Sequence, residues 1–175
     1  MDNEKIDIRK MLVEEASQVF KIVKTGFDHF VKQDLTEEGT KEFFRAAQKF
    51  IYDRPDNHFI FVAHSENQII GMIDIRDDNH ICLFFVNKKF QKKGVGRSLI
   101  EKAILKIVSD IPQISSLDVN SSTYAVNVYE KLGFIKTDEE QIINGIRFVP
   151  MIKTIQLSQL TTLSSQLSSI DNQIN

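Results

Sequence analysis

The stretch HICLFFVNKKFQKKGVGRSLIE, residues 80–101, decides how the rest of the chain is read. It opens on an unbroken apolar run, 81–86, in which Ile81, Phe84, Phe85 and Val86 are β-branched or aromatic. That is the composition of a strand covered on both faces. It closes on Val95, Leu99, Ala103 and Ile107, apolar at four-residue steps, which predict a helix. Between them lie Gly94 and Gly96 with Lys88, Lys89, Lys92 and Lys93; Arg97 follows, and no acidic residue interrupts. A strand, a glycine loop and a helix together present free backbone N–H groups and a positive helix end, the seat of a phosphate. The loop is not a P-loop, which requires G-x-x-x-x-G-K-[ST], nor a G-x-G-x-x-G dinucleotide turn, because Leu99 stands at the third glycine position.

What remains, Gln91-Lys92-Lys93-Gly94-Val95-Gly96, resembles the Q/R-x-x-G-x-G/A signature of the GCN5-related N-acetyltransferase (GNAT) family. Further on, SLDVNSSTYAVNVYEKLGF, residues 116–134, resembles the same family's next strand and helix. Val119, Asn120, Ala125, Tyr129, Glu130, Lys131, Gly133 and Phe134 fall on matching positions of that segment's pattern, while Ser122 stands where many relatives carry a second Asn. Two motifs in order are far more specific than either alone. The resemblance implies an α/β fold of the mixed α+β kind, with a central mixed sheet of about six or seven strands flanked by helices. It implies acetyl-CoA as cosubstrate, with no metal. Its pyrophosphate would lie on Gln91, Lys92, Lys93, Gly94, Val95, Gly96, Arg97 and Ser98, and its pantetheine near Asn120. In the family two central strands splay and the pantetheine fills the gap, pairing here with the free edge of Phe85 and Val86.

The chain's 175 residues suit one domain, placed at 1–153, followed by a tail, 154–175. Hydrophobic residues make up 42% and charged ones 26%, as in water-soluble globular proteins. A net charge of −2 gives no general attraction to nucleic acid or to anionic membrane. Cys82 is the single cysteine, which excludes an intrachain disulfide; with no leader-like start, the cytoplasm is expected. No apolar run reaches the roughly 20 residues of a membrane helix. In the tail, 14 of 22 residues are Ser, Thr, Gln or Asn, yet Leu160, Leu163, Leu167, Ile170 and Ile174 keep a heptad spacing. That seam suggests a helix packed on the domain or on a second copy, the second arrangement being a homodimer.

A first strand is expected at 6–12 and an amphipathic helix at 14–30, with Ala16, Val19, Phe20, Val23 and Phe27 inward. A loop follows at 28–35, then a helix capped by Thr36 running to about Tyr52. Phe27, Phe30, Phe43, Phe44 and Phe50 read as core. Strands at 58–63, 69–76 and from His80 form an antiparallel meander, with Asp74 and Arg76 on one face that reads as solvated sheet ahead of a site role. A parallel strand at 114–120 and a helix at 122–132 come next, the latter ending at Gly133. A hairpin of 134–137 with 146–153 closes the domain around Asn144-Gly145.

Transfer of an acetyl group to an amine needs an unprotonated nucleophile and a proton for the departing thiolate. In the resemblance the tyrosine of Y-E-K, Tyr129, lies beside the coenzyme sulfur; a phenol of reference pKa about 10 can serve a thiol of about 8.5. His80 is the candidate base, since imidazole titrates near neutrality, although a strand-opening histidine is also often merely exposed. Cys82 shares its strand face, offering an acetyl-cysteine route beside the plainer reading of a buried thiol. Asp28, His29, Asp34 and Glu38 could attract a cationic amine or simply face solvent. The resulting expectation is an N-acetyltransferase acting on a small-molecule or peptide primary amine by direct attack. The alternative is a silent acyl-CoA-binding sensor of the same fold.

Overall fold

The computed structural model describes residues 6–66 and 68–156. Eight strands make one mixed sheet in the order β1-β2-β3-β4-β5-β8-β6, with β7 paired to β8. They are β1 (Asp7–Lys10), β2 (His58–Ser65), β3 (Gln68–Arg76), β4 (His80–Val86), β5 (Ser116–Ser121), β6 (Ile135–Lys136), β7 (Gln141–Ile143) and β8 (Ile146–Thr154). The helices are α1 (Ala16–Phe30), α2 (Glu37–Gln48), α3 (Val95–Asp110) and α4 (Val126–Lys131). The GNAT-like mixed fold is present, with eight strands rather than six or seven. The heptad seam of the tail falls outside the described residues.

Each face of the sheet carries its own core. On one side α3 buries Val95, Leu99, Ala103 and Ile107, the predicted stripe, together with Ile100 and Ile104. On the other, α1 buries Ala16, Val19, Val23 and Phe27. Covered on both faces, β3 is buried from Ile69 to Ile75. Gly26 lets α1 lie directly on β4, since a Cβ there would sit 2.3 Å from the Phe85 ring.

Four expectations need correction. The segment 28–35 is not a loop throughout: α1 continues to Phe30 and a 3₁₀ turn occupies Lys32–Asp34. The helix at 122–132 is only α4, the preceding residues forming turns. The hairpin strand facing β8 across Asn144-Gly145 is the short β7, whereas β6 pairs further along β8. Asp74 is not solvated but fully buried, because the sheet there is covered on both sides; His58 Nδ1 lies 3.0 Å from each of its carboxyl oxygens.

The α1–α2 connection is fixed at both ends. Asp34, 6% exposed, accepts from the Thr123 backbone N–H (3.0 Å) and hydroxyl (2.6 Å), tying the 3₁₀ turn to the β5–α4 loop. Thr36 caps α2 by accepting from Gly39 N–H at 3.1 Å, and its own N–H donates to Gly145 C=O at 2.9 Å. A Cβ on Gly39 would lie 2.3 Å from Gly145 O, and one on Gly145 would lie 2.2 Å from Thr36 Oγ1. These contacts hold α2 and the β7–β8 hairpin as two facing walls.

At the sheet's far edge, buried Glu15 accepts from Arg9 at 2.9 and 2.7 Å and from Leu12 N–H at 2.8 Å. The Arg9 hydrogen bonds, aided by that N–H, hold its carboxyl down at about 2. An unfolded glutamate titrates near 4.3, so this stabilisation is present above that pH and fades as pH falls towards 2. Glu15→Gln is expected to cost about 1–2 kcal/mol at pH 7, a melting temperature lower by about 2–8 °C. In thermal melts at pH 3 the gap between the two proteins should narrow; an equal gap at both pH values would remove this account.

Candidate active site

The site begins where β4 and β5 part. Their parallel pairing consists of His80 opposite Asp118 and Ile81 opposite Val119, and ends there. The cause lies on the other edge of β4. Asp74 pairs with Leu83 and Ile75 with Ile81, so Cys82 is an extra residue, a β-bulge. A bulge bends its strand and tightens the twist, turning the end of β4 away from β5. Residues 83–86 therefore have no β5 partner, the open edge expected at Phe85 and Val86. One refinement follows from Gln91, whose side-chain amide donates to Val86 C=O at 3.1 Å and so occupies the last carbonyl of that strand.

A cavity of about 850 Å³ runs through the fork, large enough for a cofactor-sized ligand. Of the predicted coenzyme residues, Phe85, Val86, Gln91, Lys92, Gly94, Gly96, Arg97 and Asn120 line it. Val95, Lys93 and Ser98 do not. Val95 is a core residue, Lys93 lies over the Phe90 ring at 5.1 Å, and Ser98 N–H makes the first intrahelical bond, to Gly94 C=O at 3.0 Å. The N–H groups of Val95, Gly96 and Arg97 thus have no partner in the helix. Gly94 takes φ +86° with nothing within 4 Å of where a Cβ would be, so backbone conformation requires the glycine and leaves open space above it. That space, those donors and the lysines and arginine around them fit a pyrophosphate.

Tyr129 lines the same cavity, 5% exposed, its ring packed on Phe84 and Phe134 at centroid distances of 5.8 and 5.1 Å. Burial raises its phenol pKa, which keeps the proton on the oxygen at neutral pH. His80 also lines the cavity, its Nδ1 2.5 Å from Asp118 Oδ2. An ionised carboxylate only accepts, so Nδ1 carries the proton and Nε2 is left with the free lone pair. Sequence reasoning missed Asp118, because the contact depends on the register of two strands with 38 residues between partners. Cys82 lines the cavity as well, and burial pushes its thiol up to about 12. Its sulfur, His58 Nδ1 and an Asp74 oxygen lie within 4.8 Å of one another, but the histidine and carboxylate already satisfy each other.

Phe43 and Phe50 pack against the core beneath α1 as expected, and with Phe30 they also line the cavity, where Tyr124 stacks on Phe30 at 4.8 Å. Asp28, His29, Asp34 and Glu38 do not line it.

A parallel strand pair that parts beside a helix flanked by two glycines is the arrangement that the GNAT resemblance implies. Residues 31–155 match the family model for the acetyltransferase (GNAT) domain, and the chain belongs to the GNAT family. It is 31% identical over 98 residues to an acetyltransferase of Bacillus subtilis, an alignment covering 53% of this chain and 63% of that protein. It is 26% identical over 127 residues to N-alpha-acetyltransferase 30 of Xenopus laevis, covering 66% of this chain and 45% of that one. The chain thus spans less than two thirds of either relative. Among solved structures, a GNAT protein from Rhodopseudomonas palustris superposes with TM-score 0.71 at 21% identity, covering 89% of this chain and 99% of that chain. The PaiA N-acetyltransferase of Thermoplasma acidophilum, in complex with coenzyme A, gives 0.69 at 17%, covering 86% and 99%. The spermidine N-acetyltransferase of Vibrio cholerae, in complex with CoA and spermine, gives 0.59 at 18%, covering 87% and 96%. No helix among the described residues is long and apolar enough to cross a membrane.

Proposed function

We propose that the chain is an acetyl-CoA-dependent N-acetyltransferase that moves an acetyl group to a primary amine by direct attack in a ternary complex. The observation that carries this reading is one cavity joining the glycine loop, Tyr129 and His80. Acetyl-CoA supplies an activated acyl group as a thioester. The chain's residues bind and move protons. Gly96 and its neighbours offer N–H groups and Lys92 and Arg97 offer charge to the pyrophosphate, while the open edge of β4 and Asn120 receive the pantetheine. His80 Nε2 takes a proton from the acceptor's ammonium, which frees the amine to attack, and Asp118 holds the ring and stabilises the imidazolium. Tyr129 gives its proton to the departing thiolate and is reprotonated by the proton that the nitrogen sheds as the amide forms. A thiolate formed beside buried apolar groups is desolvated, which strengthens its hold on that proton.

Cys82 is left out of the pathway, because a thiol with a pKa of about 12 is almost wholly protonated at neutral pH. The lone cysteine favours a reducing compartment, and the cytoplasm is the proposed location. The test is release of free coenzyme thiol from acetyl-CoA in the presence of amines. His80→Ala should reduce it about ten-fold or more, with the loss partly restored at high pH, where the amine is unprotonated without help. Tight acetyl-CoA binding with no amine-dependent release would favour the silent sensor instead.

A further inference from the structure

The acceptor end of the cavity has a composition that the acetyltransferase reading does not by itself require. Phe30 of α1, Phe43 of α2 and Phe50 of the helical turn that follows α2 line it together with Leu83 of β4, Tyr124 and Phe148. Of the charged side chains lining the whole cavity, Arg76, Lys92, Arg97, Lys131 and Arg147 are cationic, and only Glu42 is acidic. Glu42 is held by Arg45 through two hydrogen bonds, at 2.9 and 2.6 Å. Arg76 pairs with Asp77 at 3.0 Å and Arg147 with Glu140 at 2.5 Å. The carboxylates that the sequence offered as a lure for a cation stand elsewhere, with Asp34 spent on Thr123.

An amine with two or three positive charges would lose its hydration here without gaining an unengaged carboxylate among the described lining residues, a costly exchange. An apolar ring, by contrast, gains contact with aromatic faces. The same surroundings help the chemistry: desolvation and neighbouring cations lower an ammonium pKa, easing the proton loss that must precede attack. We infer, on the basis of the acetyltransferase reading, that the acceptor is a primary amine carried on an aromatic-sized apolar body and bearing no second positive charge. A small arylalkylamine and the N-terminus of a peptide beginning with a large apolar residue share that chemistry.

The experiment compares kcat/KM for 2-phenylethylamine, phenylalanyl-glycinamide and spermidine, with ethylamine as a reference for amine chemistry without a body to bind. At least one of the first two should exceed spermidine by about ten-fold or more, and which of them leads tells small molecule from peptide. Tyr124→Ala, at a position 47% exposed, should cost the phenyl substrates about ten-fold in kcat/KM and ethylamine much less. Ile143→Glu, at a cavity-lining position 54% exposed, should narrow the gap to spermidine. Spermidine equal to or better than the phenyl amines in the wild type would overturn the inference and leave the acetyltransferase standing. So would phenyl substrates indifferent to Tyr124→Ala. Bound acetyl-CoA with no turnover of any of the four amines would remove both.

Discussion

Tyr129→Phe is expected to lower amine-dependent thiol release from acetyl-CoA by about ten-fold or more while leaving the fold intact. The ring would keep its packing between Phe84 and Phe134, and among the described residues no protein group takes up the hydroxyl. Loss of the oxygen should therefore move the melting temperature little and the rate a great deal. Two readouts separate an acid from a residue that merely shapes the cavity. Acetyl-CoA affinity should change by less than the rate does. An acetyl aryl thioester, whose thiolate departs without a proton, should be used almost equally by both proteins. If the aryl thioester shows the same deficit as acetyl-CoA, Tyr129 acts through position and not through its proton.

The parts of this site that were legible in the sequence are those in which chemistry and chain order coincide. Strand, glycines, basic residues and helix follow one another within residues 80–101, so the loop proposed to hold the pyrophosphate could be read without knowing the fold. Tyr129 was legible for a similar reason, within a single strand–helix unit. What was hidden depends on pairing across the sheet. Asp118 meets His80 only because two parallel strands keep one rung of register before a bulge separates them. The bulge itself leaves no mark in composition: Cys82 looks like any other strand residue until the Asp74–Leu83 register is known. Asp74 was misassigned because alternation assumes one wet face, whereas β3 is covered on both and supplies the partner His58 from the neighbouring strand. Phe43 and Phe50 pack against the core as their helical spacing predicts and line the cavity as well, a second role that periodicity cannot reveal.

Gly96→Val is expected to raise the acetyl-CoA dissociation constant about ten-fold or more, and the two loop glycines should differ in why they matter. At Gly94 a side chain would meet nothing within 4 Å, so alanine there carries only the strain of φ +86°, about 1–2 kcal/mol. At Gly96 a Cβ would already lie 3.1 Å from the tip of the Phe84 ring, and valine's two methyl groups must displace either that ring or the first turn of α3. Moving the turn misaligns the N–H groups of Val95, Gly96 and Arg97. Moving the ring disturbs its packing on Tyr129 at 5.8 Å. Either way the variant couples coenzyme affinity to the position of the acid, so kcat should fall along with binding. Gly94→Ala, which touches neither, should weaken binding less and leave kcat near the wild-type value. Calorimetric titration with acetyl-CoA, paired with turnover, distinguishes the cases. Unchanged affinity in Gly96→Val would mean that the start of α3 is not where the pyrophosphate lies, and the assignment of the whole cradle would fall with it.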